Sequence, residues 1–119
     1  DVLAVFLISI TSPSLAEYLT LECEIKQHII LREHEPVDGM MDTFIMHERN
    51  EDITFSRGGY FDGGTFDIEF SMPDYLKAVG DYGQTFIYRE GKFHFSFISY
   101  MHVTSMSGQC KHVPRVIEG

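Results

Sequence analysis

The sequence predicts an all-β fold: a compact antiparallel barrel-like meander or small sandwich of about six to eight strands. Three observations carry that expectation. Short runs alternate apolar with polar residues, turn-forming residues separate the runs at close spacing, and two cysteines, Cys23 and Cys110, lie near opposite ends. A sheet with one apolar face must close on itself or pair with another sheet to bury that face. A disulfide between the ends would bring the first and last strands together, as barrel closure requires.

The first segment stands apart from the fold. Val2 to Ile10 form an apolar run, Thr11, Ser12 and Pro13 break it, and Ser14 and Ala16 supply small residues at a cleavage site. Residues 1–16 are therefore expected to be the remnant of an export signal, starting at Asp1 without its basic portion, and residues 17–119 a single all-β domain. The apolar run is far short of the roughly 20 residues that span a bilayer. The competing reading is a buried strand of the mature protein.

Within 17–119, Leu19, Leu21, Cys23 and Ile25 alternate with Thr20, Glu22 and Glu24, which predicts a half-buried strand with Cys23 inward. Ile29 to Leu31 either extend it or pair separately. Residues 32–42 read as a polar loop broken by Pro36 and Gly39. Thr43 to Glu48 and Ile53 to Ser56 flank a turn-like cluster, Arg49 to Asp52, and read as a hairpin. The glycine-rich stretch Arg57 to Gly64 leads into a strand from Thr65 to Ser71, where Phe66, Ile68 and Phe70 alternate with Asp67 and Glu69. Pro73 to Val79 is the one helix candidate, too short to be stable alone, with an irregular loop as its alternative.

The clearest local pattern runs from Gln84 to Val103. A two-residue turn at Glu90-Gly91 would oppose Tyr88 to Phe93 and Phe86 to Phe95, placing four rings on one face. After Phe97 the alternation changes phase, for which a bulge near Phe97-Ile98 is the expected cause. A last strand, Gly108 to Val113, carries Cys110. Linking Cys23 to Cys110 would stabilise a chain of this size by at most about 4–5 kcal/mol in the chain-entropy account, and such bonds persist in oxidising compartments.

The runs Ile87-Tyr88-Arg89-Glu90-Gly91-Lys92-Phe93 and Ser107-Gly108-Gln109-Cys110-Lys111 resemble the C-terminal half of small exported bacterial proteins of unknown function. Those combine a signal peptide, an early cysteine, a glycine-rich middle and a late Gly-x-Cys. The resemblance covers most of 17–119 in layout but only these stretches in residues. It implies a periplasmic all-β domain and brings no activity, cofactor or binding residues with it.

Formal charge is −9, so clustered cations of the kind that bind phosphate backbones are lacking overall, and nucleic acid is not an expected partner. Stable membrane insertion after signal cleavage is not expected either. The histidines His28, His34, His47, His94, His102 and His112 form no compact zinc spacing. The acidic loop Glu33, Glu35, Asp38 and Asp42, and the stretch Asp62 to Asp67, lack the spacing of a calcium loop. Asp67 and Glu69 share a polar strand face, a pairing that alternation alone produces. No nucleophile elbow or phosphate loop is present. No catalytic, metal or cofactor site is assigned.

Two binding features remain. Phe86, Tyr88, Phe93, Phe95 and Met101 would line a small apolar cavity, or simply pack as core. Tyr60 and Phe61, on the glycine-rich loop, would form an exposed interaction patch. The expected function is a non-enzymatic binding or envelope-interaction module, periplasmic or secreted, with an unknown protein or small-molecule partner. A carrier of a small apolar ligand is the alternative, and a metal-dependent enzyme is a distant third.

Overall fold

A computed structural model describes residues 18–33 and 35–114. The expected leader, His34 and the tail from 115 lie outside the described residues. Nine strands follow in order: β1 (Thr20–Arg32), β2 (Glu35–Asp38), β3 (Thr43–Glu48), β4 (Asp52–Phe55), β5 (Thr65–Met72), β6 (Tyr75–Val79), β7 (Thr85–Arg89), β8 (Lys92–Ile98) and β9 (His102–His112). Each pairs antiparallel with its sheet neighbour, and β1 also pairs with β9. The result is a closed eight-stranded antiparallel barrel with β2 as an extension.

β1 organises the closure. One edge runs against nearly the whole of β9, while the other meets β3 through Thr20 to Glu24 and β2 through Ile29 to Arg32. Glu24 opposes Thr43 and Ile29 opposes Asp38, so β2 and β3 hold one common register along β1, interrupted at 39–42. Opposite that interruption, the β1–β9 register slips between Ile25 and Gln27, a bulge at Lys26. Gly108 faces this bend; a Cβ there would overlap the Glu24 carbonyl oxygen and press on the Phe93 ring. Only glycine lets the two strands approach so closely.

Cys23 and Cys110 are opposed partners across the β1–β9 seam and form the disulfide, 87 residues apart in sequence. The expected hairpin at Glu90-Gly91 is present, with Tyr88 opposite Phe93 and Phe86 opposite Phe95. Both turn residues have positive φ (49° and 84°), the type I′ geometry that matches strand twist. The buried Glu48 carboxylate accepts from the Leu19 N–H at 2.9 Å and the Ser71 hydroxyl at 2.7 Å. Burial of a polar group is tolerated where such donors satisfy it.

Four local expectations are corrected. Residues 75–79 form strand β6, not a helix: Leu76 and Ala78 point inward while their neighbours are partly exposed, a period of two. The polar loop 32–42 contains strand β2, whose Pro36 opposes Leu31. The last strand begins at His102 rather than Gly108. No bulge occurs at Phe97-Ile98, because β8 stays in register with β9 through Ile98. The phase change there has another cause: the strand end rises beyond the core, and Ile98 is exposed on the outer face.

Candidate functional site

The barrel interior is filled by its own side chains. Phe86, Tyr88, Phe93 and Phe95 are all buried, as expected of either a core or a cavity lining, but the Phe86 and Phe93 rings stack on one another, and Phe93, Phe86 and Phe95 meet Phe44, Phe55 and Phe66 directly. Met101 is not among them; it lies in the β8–β9 turn and is exposed. Aromatic rings at 4–6 Å in offset and edge-on arrangements leave little room for a guest.

The glycine-rich loop supplies part of that filling, which corrects its expected exposure. Phe61 is only 8% exposed; its ring stacks on Phe55 at 4.2 Å and meets Phe44 and Phe95 edge-on at 4.9 and 5.0 Å. Tyr60 is half-buried, against His28 at 5.1 Å and Phe95 at 5.6 Å. Burial pushes the Tyr60 phenol above its ordinary pKa, with a hydrogen bond to Thr104 opposing the shift. Gly58, Gly59 and Gly63 take positive φ, which lets the chain turn back so that Phe61 enters the core. The loop is a plug. Sequence reasoning missed this because glycine-rich segments ordinarily mark turns, and the one signal was a bulky aromatic pair between glycines.

The histidines do not converge. His28 is buried beneath the loop, with Nδ1 2.7 Å from the Met40 carbonyl oxygen; Nδ1–H donates there, and Nε2 finds no partner among the described residues. His47 lies by Thr20, His102 by Ser99, and His112 by the Tyr88 hydroxyl. His94 lies exposed on the outer face of β8. Among the described residues no group of three His, Cys, Asp or Glu side chains is arranged to hold a metal ion. Glu69 is the extra residue at the β5–β6 register slip, just beyond Asp67, and pairs with Lys77 at 3.2 Å. Ion pairing and exposure account for that pair as surface charge.

What the structure does bring together is an apolar end. Pro36, Leu31, Val103 and Ile98 are successive register partners across β2, β1, β9 and β8, so they form one row on one face. All four are exposed. Ile29 adjoins the row two residues from Leu31, and the β8–β9 turn adds Tyr100 and Met101, 97% and 62% exposed. Around it stand the exposed carboxylates Glu33, Glu35 and Asp38.

No family model, curated protein or solved structure matches this chain. Chemistry must therefore be read from the molecule itself. Among the described residues no helix is long and apolar enough to cross a membrane.

Proposed function

We propose that this chain is an exported, non-enzymatic interaction module that meets a partner protein through the apolar end built by β1, β2, β8 and β9. The observation that carries the reading is the row Pro36–Leu31–Val103–Ile98 capped by Tyr100, in which register gathers exposed apolar side chains from four strands onto one contiguous outer face. Soluble monomers seldom leave contiguous apolar surface uncovered without a binding role. An amphipathic aromatic at the apex fits the composition of interface anchors.

The acidic border favours a partner whose own apolar patch is edged by Lys or Arg, and disfavours an anionic lipid surface. Filled packing inside the barrel weighs against a carrier of apolar ligands. The disulfide fits an oxidising compartment, periplasmic or extracellular.

The test is site-specific crosslinking. A photoreactive phenylalanine analogue replaces Tyr100 in protein exported from a bacterial host with a complete signal, and replaces Tyr82, which is 79% exposed in another turn, as the reference. The proposal expects a discrete protein adduct from position 100 that Ile98→Asp removes. Equal adducts from both positions would refute it. So would native mass spectrometry that finds a small apolar molecule bound to the purified chain, which favours the carrier.

A further inference from the structure

The outer face of the same strands ends very differently at the Glu90-Gly91 turn. There an open groove of about 700 Å³ crosses β7, β8, β9 and β1. Its polar lining includes the cations Lys26, Arg89 and Lys92, the carboxylate Glu90, and the amides Gln27 and Gln109. Register explains the grouping: Arg89 opposes Lys92, Lys92 opposes Gln109, His94 opposes Ser107, and Ser107 opposes Gln27. Opposed residues point to the same face, so two polar rows run side by side across the strands. The bulge at Lys26 bends β1 along one wall of the groove.

The charges in this groove are unusual for the molecule. Lys26, Lys77 and Lys111 pair with Glu24, Glu69 and Glu22, and Arg49 with Asp52. Arg89 and Lys92 have no carboxylate within ion-pair distance among the described residues, although the chain carries net charge −9 and Glu90 stands between them in the turn. Like charges placed directly opposite across strands oppose folding, so the pair is not explained by stability. The Arg89 guanidinium is held 5.9 Å over the Tyr75 ring, which fixes it at the groove edge without neutralising it.

We infer that this groove binds an acidic oligosaccharide, a chain of sugar hydroxyls bearing carboxylate or sulfate groups. Arg89 and Lys92 match the anionic group; a guanidinium offers a carboxylate or sulfate a two-pronged donor pair. Gln27, Gln109, Ser107 and His94 offer neutral donors and acceptors in a row, which suits hydroxyls. A peptide is the poorer fit. Peptides on sheets take up unpaired backbone at an edge, and the four strands of this groove, β7, β8, β9 and β1, are each flanked on both sides. Nucleic acid is the poorer fit too, since two cations on an acidic protein cannot offset a continuous phosphate backbone. This inference is independent of the apolar end.

The experiment is a titration of the whole folded domain, followed by backbone amide NMR shifts. The probes are tetragalacturonate and a heparin-derived tetrasaccharide, compared with maltotetraose and hexaglutamate. Expected are shifts centred on β7–β9 with at least one acidic saccharide, binding that weakens with added salt, and a loss of about tenfold in Arg89→Gln/Lys92→Gln. Lys111→Gln, on the same outer face but outside the groove, should bind as the parent does. The double variant should melt no lower than the parent, because it relieves like-charge opposition; unchanged folding with lost binding separates recognition from structure. Absence of shifts with both acidic saccharides at millimolar concentration would overturn the inference. Equal binding of maltotetraose would remove the role of charge. Equally strong binding of hexaglutamate, with the same sensitivity to Arg89→Gln/Lys92→Gln, would reassign the groove to an acidic peptide.

Discussion

Replacing Phe61 by alanine tests whether the glycine-rich loop is a structural plug. The side chain is 8% exposed and packs on Phe55 at 4.2 Å, Phe44 at 4.9 Å and Phe95 at 5.0 Å. Truncating a buried phenylalanine costs about 3–5 kcal/mol, combining lost transfer energy with the cavity left behind. The surrounding strands are tied into a closed sheet and cannot collapse freely, which places the expected cost near the middle, about 4 kcal/mol. With a urea dependence of about 1.5 kcal/mol per molar for a domain of this size, the unfolding midpoint should fall by about 2–3 M. Equilibrium unfolding followed by circular dichroism measures this directly. Tyr82→Ala, at an exposed turn, should shift by less than about 0.5 kcal/mol and serves as reference. If Phe61→Ala costs less than about 1 kcal/mol, the plug does not hold the core together and the loop is available for binding after all.

Other consequences follow from the seam and the turns. Replacing both Cys23 and Cys110 by alanine should lower unfolding free energy by up to about 4–5 kcal/mol, read from denaturation midpoints with and without reductant on the parent; an unchanged midpoint would mean that strand pairing alone closes the barrel. Gly108→Ala forces a methyl group against the Glu24 carbonyl and should abolish cooperative unfolding or cost several kcal/mol, whereas Gly58→Ala meets open space and should cost only about 1 kcal/mol for its φ of +82°. The hydrogen-bonded Arg49 guanidinium holds the Asp52 carboxyl below the ordinary carboxylate pKa. Because the folded value is the lower one, this pair stabilises above the usual carboxylate range and its contribution vanishes as pH falls through the depressed value. Asp52→Asn should therefore flatten a small part of the acid limb of a stability–pH profile, and salt should weaken the parent's effect.

Local alternation made much of the fold legible. Leu19 to Ile25, Thr65 to Ser71 and the paired rings around Glu90-Gly91 each carry a period of two long enough to decide strand over helix, and the cysteines pointed to the closing seam. Residues 73–79 were not legible because five strand residues with Leu, Lys and Ala satisfy either period. Phe61 was hidden by its glycine neighbours, since only the tertiary path of the loop reveals that the chain folds back into the core. Neither surface feature is visible locally. Leu31 is distant in sequence from Val103 and Ile98, as Gln27 is from Ser107 and His94, and only register places them side by side. Each would read singly as an unremarkable exposed residue.

The seam also dictates an order of events. Synthesis runs from β1 toward β9, so Cys23 emerges long before its partner strand exists, and β1 keeps one edge unsatisfied until the last residues of the barrel arrive. Loop closure over that span is the slow, non-local kind. The chain therefore spends its whole assembly with a free thiol beside an open edge, vulnerable to the wrong disulfide or to pairing with another unfinished copy. The Cys23–Cys110 bond ends that exposure, since it removes the thiol and ties the first strand to the last at the same point of the seam.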